Sequence, residues 1–436
     1  MKQQQHQDKL KPLKDTLTML DHLQWYTPEK MQEIQTQKLA RVVAHHVNTS
    51  PFFGKRIKES SIKPQDIDAA HMERLPLLTR QDVISAGESL FSTKVPETHG
   101  KSGEVKSSGS TGEPVVVRAT DLVATFFHAY TTQELTWQRR DPKGRLVIIK
   151  AGQFETTEHP KWANPLIQDT GPLCLINIRT DIKEQARIMS EFKPDMMSVY
   201  PSNLAALIDY WEETDSHPEF KHIKCVGETV TDKLRERVKK MFGLKIEDVY
   251  SSQELGTIAM PCDEGLYHTA DQNLIVEVLD DDNNPVAEGE TGRVVVTDMH
   301  NYATPLIRYD TGDWAIRGGK CSCGRGLKTL KRVMGRTRNL ILRADGSRYW
   351  PMVGMYNFDE LSFKIRRYQV IQQDRKTIEY KLVTDAPLTP EQEAEMKALG
   401  NKALGDEFDI VISRFDKPWS LAPNGKHEEF ICLAKG

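Results

Sequence analysis

Between residues 120 and 250 the apolar positions follow two alternating patterns. Leu146–Ile149, Leu173–Ile178, Met196–Tyr200, His222–Val226 and Ile246–Tyr250 are apolar-rich runs of strand length. Between them, Asp121–Arg139 (with Asp121 as N-cap), Lys183–Phe192, Ser202–Glu213 and Thr231–Phe242 repeat their apolar residues at helical spacing. This alternation predicts right-handed βαβ units around a parallel sheet. In such sheets ligands lie beyond the carboxyl ends of the strands. Two polar turns stand at strand ends, Gly227-Glu228-Thr229 and Tyr250-Ser251-Ser252-Gln253-Glu254. Either would hold a nucleotide or an acyl group, or simply cap the next helix.

Upstream, residues 1–26 are polar and read as a loosely ordered lead-in. Thr27-Pro28 then opens a helix with Thr27 as N-cap, and Ser50-Pro51 closes it. Downstream the pattern changes. Leu274–Val278 and Gly292–Thr297, separated by an Asp/Asn-rich turn at 280–284, predict antiparallel strands. The last block reads strand, helix, strand over Ile378–Val383, Pro390–Leu404 and Phe408–Ser413. The expected fold class is therefore α/β. A large domain, 1–336, holds the parallel βαβ sheet and the antiparallel strands. A small mobile α+β domain, 337–436, follows a linker near 336–339.

Composition narrows the class. The chain has 436 residues, 38% hydrophobic and 28% charged, as in soluble globular proteins. A net charge of −3 gives no footprint for nucleic acid or an anionic membrane. No apolar run approaches the ~18–20 residues of a membrane span, and the polar N-terminus is no secretory signal. Six cysteines in so long a chain are not a disulfide scaffold. The expectation is a cytoplasmic enzyme or binding protein with neither nucleic acid nor membrane as partner; a homodimer is among the expected states.

The candidate chemistry starts at Lys106-Ser107-Ser108-Gly109-Ser110-Thr111-Gly112-Glu113-Pro114. Two glycines let the backbone turn tightly, and the N–H groups and hydroxyls between them make a nest for anions. It is not a Walker loop, because Gly100-Lys101-Ser102 lacks the glycine five residues earlier. Val115-Val116-Val117 follows as a strand, so the loop joins two strands. Further on, Asp313 follows a glycine-containing turn and suits the two hydroxyls of a ribose. Pro423-Asn424-Gly425-Lys426 is a tight turn presenting a lysine. Cys262 and His268, with Cys321 and Cys323, sit in polar turns and match the donor set of a tetrahedral structural Zn²⁺ site. The plainer reading, buried free thiols, suits Cys174 and Cys225 in their apolar strands.

Taken in order, Ser107–Pro114, Tyr250–Glu254, Arg308–Asp313, Gly335-Arg336 and Gly425-Lys426 resemble the motifs of the adenylate-forming acyl-CoA synthetases. Ser50-Pro51-Phe52-Phe53, Leu75-Pro76-Leu77-Leu78-Thr79 and Cys321-Ser322-Cys323-Gly324-Arg325 resemble the phenylacetate–CoA ligase branch. The resemblance implies ATP-dependent activation of a carboxylic acid, aromatic by analogy, to an acyl-adenylate, then transfer to a thiol such as CoA. A carrier-protein thiol or an amine is the alternative acceptor; a non-catalytic nucleotide-binding protein is the reading from another class. The resemblance puts the ATP β- and γ-phosphates on Ser107, Ser108, Gly109, Ser110, Thr111 and Gly112, with Thr111 also among the catalytic residues. It puts Mg²⁺ on Glu254, adenine against Tyr250 between Gly227-Glu228-Thr229 and Ser251-Ser252-Gln253, and the ribose on Asp313 with Arg336. Lys426 would arrive with the small domain. The acid pocket would lie near Tyr200, Ser202, Gly227, Ser251 and the Gln153–Phe154 loop. Two departures stand out: Arg338-Asn339 replaces an acidic hinge pair, and His427-Glu428-Glu429 follows Lys426 in place of a more basic run.

Overall fold

The protein is described from a computed structural model covering residues 2–60, 62–63, 66–106, 115–336, 341–346, 348–349, 358, 361–416 and 430–434. Its centre is a six-stranded sheet in the order Thr157–His159, Leu173–Asn177, Leu146–Lys150, Met196–Val199, His222–Cys225, Ile246–Asp248. All neighbours are parallel except the edge strand Thr157–His159. Helices Ile182–Phe192, Pro201–Thr214 and Asp232–Phe242 cover it. They bury Met189, Phe192, Leu204, Leu207, Trp211, Leu234 and Val238 against Val147, Ile149, Ile176, Val199 and Ile223. Every second residue of these strands lies in that core, while the positions between them, such as Ile148, Leu175 and Lys224, are partly buried.

A second, antiparallel sheet has seven strands: Leu274–Leu279, Thr291–Asp298, Tyr309–Arg317, Thr329–Arg336, Tyr267–Thr269, Gly256–Pro261 and Tyr250–Ser252. The run at Ile246–Tyr250 is thus not one strand. Ile246–Asp248 ends the parallel sheet, and Tyr250 opens the antiparallel one. Tyr267 Oη donates to Asp248 Oδ2 at 2.6 Å, and Arg235 Nη2 reaches the same carboxylate at 3.0 Å, so the two sheets are bonded at this junction. A buried charge cluster ties the Asp121–Trp137 helix to the parallel sheet. Arg140 pairs with Glu134 at 2.7 Å and with Glu247, and Lys224 meets Glu134 at 2.5 Å. Burial works against ionisation of Glu134, but Lys224 and Arg140 hold its carboxyl below the ordinary range.

Residues 2–23 differ from the expectation of a loose lead-in: Lys2–Leu23 is a helix with Pro12 inside it. Leu13, Leu20 and Leu23 are buried in the same core as Ala129, Tyr130 and Trp137 of the Asp121–Trp137 helix. Thr27 does cap the Pro28–Thr49 helix, accepting from Lys30 N. Asp121 is the first helical residue rather than the cap, which is Thr120; its carboxylate accepts Lys101 N at 2.9 Å. A four-stranded sheet in the order Asp409–Phe415, Thr377–Thr384, Ile365–Gln372, Phe430–Cys432 forms a smaller α+β unit with the Pro390–Leu404 helix. It has its own core of Val370, Ile378, Tyr380, Leu382, Met396 and Phe430. Among the described residues no helix is long and apolar enough to cross a membrane.

Candidate active site and metal centre

The loop Ser107, Ser108, Gly109, Ser110, Thr111 and Gly112 lies outside the described residues, as does Lys426. The loop's two stems are described. Ser102–Lys106 and Val116–Thr120 pair antiparallel, ending at Lys106↔Val116, so the segment joins the strands of one hairpin. The second stem is tied to the 301–304 turn: Arg118 N donates to Thr304 Oγ1 at 2.8 Å and Asn301 Nδ2 donates to Arg118 O at 2.9 Å. Val105, Val115, Val116 and Val117 share a core with Tyr250 and Leu255.

Tyr250 and Asp313, far apart in sequence, are bonded: Tyr250 Oη donates to Asp313 Oδ2 at 2.7 Å. Thr311 completes the arrangement, its Oγ1 accepting Asp313 N at 3.1 Å and donating to Val294 O at 2.9 Å. Asp313 lies directly across the strand pair from Arg336, and Trp314 across from Gly335, so register alone brings the Gly335-Arg336 backbone beside Asp313. In the turn after Tyr250–Ser252, Ser252 Oγ accepts Leu255 N, Ser251 and Gln253 are exposed, and Glu254 is buried without an ion pair among the described residues. A carboxylate in such surroundings suits a hard cation.

Gly227 takes φ 79°, a conformation glycine adopts without strain, and leads the chain out of His222–Cys225. Glu228 and Thr229 follow, but the cap of the next helix is Thr231. Glu228 instead reaches the neighbouring strand end, accepting from Ser202 N at 2.9 Å and Ser202 Oγ at 3.0 Å. This carboxylate sits at the positive end of the Pro201–Thr214 helix, where a negative charge is stabilising. Burial raises the Tyr200 phenol above its ordinary value, and the Ala151 backbone bonds to it. The Gln153–Phe154 loop is pinned alongside by Asn177, whose Nδ2 donates to Phe154 O at 2.8 Å. Thus Tyr200, Ser202, Glu228 and the 152–154 loop form one wall, and Ser251 stands at the next strand end. The Ser202–Glu228 link was not predicted; two polar turns gave no sign that one anchors the other.

Arg308, by contrast, is structural. It is buried at φ 53°, pairs with Glu277 and donates to Leu75 O at 2.7 Å. Leu78 N donates to Arg308 O at 2.8 Å and Asp310 N to Leu78 O at 2.9 Å, so the Leu75–Thr79 stretch braces the strand that carries Asp313.

The four predicted metal ligands converge. The donor atoms of Cys262, His268, Cys321 and Cys323 all lie within 4.8 Å of one another. Cys262 Sγ and Cys321 Sγ are 3.6 Å apart, and Cys323 Sγ is 3.2 Å from His268 Nε2. Zinc–sulfur bonds of about 2.3 Å in a tetrahedron put sulfurs about 3.8 Å apart, so this donor set fits such an ion. Burial, with Arg325 nearby, lowers the His268 imidazole to about 4, which keeps it neutral. The Arg325 guanidinium lies 4.1 Å from the Trp137 ring centroid and 5.1 Å from that of Trp25. Cys174 and Cys225 are buried in their strands, away from this cluster.

Residues 106–302 match the family described as AMP-binding enzyme. The chain is 23% identical over 395 residues to a phenylacetate–coenzyme A ligase of Thermus thermophilus, covering 87% of this chain and 85% of that protein. It is 25% identical over 342 residues to the Escherichia coli phenylacetate–coenzyme A ligase, covering 75% and 76%. Among solved structures, 2-hydroxyisobutyryl-CoA ligase in its postadenylation state superposes with a TM-score of 0.73 at 14% identity, covering 94% of this chain and 91% of that one.

Proposed function

We propose that this chain, which belongs to the adenylate-forming superfamily on its phenylacetate–CoA ligase-like branch, activates a carboxylic acid with ATP and passes the acyl group to CoA. The phenylacetate–CoA ligases among its relatives support an aromatic acid as the substrate class. The observation that carries the reading is the meeting of Tyr250, Asp313 and the Gly335-Arg336 backbone next to the carboxyl ends of the parallel strands. There the Tyr250 ring offers a face for adenine. Asp313, held by Tyr250 and Thr311, accepts the ribose hydroxyls with help from Arg336. The Ser107–Gly112 loop, at the tip of its hairpin, holds the leaving phosphates. Glu254 would hold Mg²⁺, which would supply charge stabilisation to the phosphates. The acid enters along Tyr200, Ser202 and Gly227, its carboxylate attacks the α-phosphorus, and pyrophosphate leaves. Charge develops on the non-bridging oxygens, so the protein's contribution is positioning and electrostatics. The units 1–336 and 337–436 act as two domains hinged near 336–339.

Pyrophosphate release over a panel of aromatic and aliphatic acids, first without and then with CoA, tests this reading. The expected result is release with an aromatic acid alone and a thioester once CoA is added. Release without a thioester would move the acceptor to a carrier-protein thiol or an amine. No release with any acid would overturn the reading.

Asp313→Ala is expected to weaken ATP binding by roughly 1–3 kcal/mol, the range for hydrogen bonds to a charged group, with the fold retained. Tyr250→Phe, which frees Asp313 of one donor but leaves its carboxylate, is expected to weaken ATP binding less. Calorimetric titration with ATP checks both. Equal affinity in Asp313→Ala and the parent would leave Asp313 only as the partner of Tyr250.

We also propose that Cys262, His268, Cys321 and Cys323 hold one structural Zn²⁺. The ion would bind the end of Gly256–Pro261, Tyr267–Thr269 and the turn before Thr329–Arg336 into one unit.

A further inference from the structure

The small unit meets the large one through a short basic segment that the reaction scheme leaves unused. Lys364, Arg366 and Arg367 lie at the start of the Ile365–Gln372 strand. Arg366 pairs with Glu213, in the last turn of the Pro201–Thr214 helix, and with Asp385 of its own unit at 2.8 Å. Lys364 Nζ lies 3.7 Å from the same Glu213. The ladder is irregular at this point: Ile365 pairs with Thr384 and Arg367 with Val383, leaving Arg366 as a bulge. Bulges bend a strand and re-aim a side chain.

We infer that Arg366 is a positioning residue that, with Lys364, docks the small unit onto the C-terminal end of the Pro201–Thr214 helix, whose other end carries the Ser202–Glu228 wall of the acid pocket. The inference rests on the ligase reading for its consequence but not for the contact itself. The strength of the contact suits the task. Arg366 and Glu213 keep 37% and 49% of their side-chain surface exposed, so water and salt screen them. A contact of this kind holds one orientation by a small factor and releases it readily. A buried ion pair, costly to break, would not.

The test uses the full chain without substrates. Amide hydrogen exchange is followed on peptides spanning 201–214 and 361–372, at low salt and in about 0.5 M NaCl, where the screening length falls to a few ångströms. Added salt should speed exchange in the parent about two- to fivefold, the range for exposed pairs. Glu213→Gln should exchange at that faster rate already at low salt and respond no further to salt. Glu213→Asp, which keeps the charge, should retain the protection and the salt response. Exchange that is insensitive to salt in the parent, or a Glu213→Gln profile equal to the parent at low salt, would overturn the docking role. The second readout is kinetic. Arg366→Gln should raise the KM for the acid while leaving the KM for ATP unchanged; equal changes in both would remove the link to the acid pocket. If the chain activates no acid, the exchange result still decides the contact, so the two failures are distinguishable.

Discussion

Replacing Lys426 with alanine is expected to slow acyl-adenylate formation about 10²–10³-fold, the scale of one well-placed electrostatic donor. Conversion of a supplied acyl-adenylate to its CoA thioester should continue near the parent rate. The Pro423–Lys426 turn lies outside the described residues, but its anchors do not. Asp409–Phe415 and Phe430–Cys432 are the two opposite edge strands of the four-stranded sheet, and Lys426 lies between them in sequence. In the proposed closed state the ammonium would meet the attacking carboxylate and the α-phosphate. Once the acyl-adenylate exists the free carboxylate is gone and pyrophosphate has left, so the unit would be free to turn for the thiol. Single-turnover measurement of each half-reaction decides the matter. Equal loss in both halves refutes a role confined to adenylation; no loss in either returns Lys426 to the solvated surface. Added salt acts separately, through the Arg366–Glu213 contact, so its effect should persist in Lys426→Ala.

The parallel sheet was legible because its strands are rich in apolar residues, packed on one face under three helices, with few polar positions such as Ser198 in Met196–Val199. The first helix was not legible. Its buried stripe of Leu13, Leu20 and Leu23 is diluted by Gln, Lys and Thr and interrupted by Pro12. Its stability comes from packing on the Asp121–Trp137 helix, which no local window contains. The Ile365–Gln372 strand escaped for a related reason: its first half mixes Ile365 and Tyr368, packed on the small unit's core, with Arg366, which meets Glu213. At the site, the order of the motifs was readable but their contacts were not. Strand register sets Arg336 across from Asp313, and a tertiary bond joins Tyr250 to it. The Glu228–Ser202 link shows the same limit, since each turn alone reads as an ordinary cap. The metal ligands were readable from the other direction: thiols in polar turns lack the apolar surroundings that explain Cys174 and Cys225.

Purified protein prepared without chelator is expected to carry one zinc per chain, and Cys321→Ser is expected to lose both that zinc and much of the large unit's stability. Metal binding to a site absent from the unfolded chain is itself folding free energy. Here the ligands come from three separate places: the end of Gly256–Pro261, the Tyr267–Thr269 strand, and the 321–323 turn ahead of Thr329–Arg336. His268 and Thr329 are cross-strand partners, so the ion would lock one pair of strands to a third segment. The 324–326 turn then seats the end of the first helix: Gly326 N donates to Gln24 O at 3.0 Å and Arg325 Nε to Gln24 Oε1 at 2.8 Å. Losing one thiolate should therefore loosen the Lys2–Leu23 helix as well as the sheet edge. Loss of a metal site belongs to the short class of changes that cost more than about 4 kcal/mol. At about 2–4 °C per kcal/mol for a unit of this size, the thermal midpoint should fall by roughly 8 °C or more. Cys225→Ser, at a buried thiol outside the cluster, is the control; it should keep its zinc and lose about 1–3 kcal/mol from a buried hydroxyl. Trp25 and Trp137 flank Arg325, so their fluorescence should change on chelation in the parent and remain constant in Cys321→Ser. Metal analysis that finds no zinc in the parent, or a Cys321→Ser midpoint no lower than that of Cys225→Ser, would remove the metal and leave three buried side chains and the half-buried Cys323 in close packing.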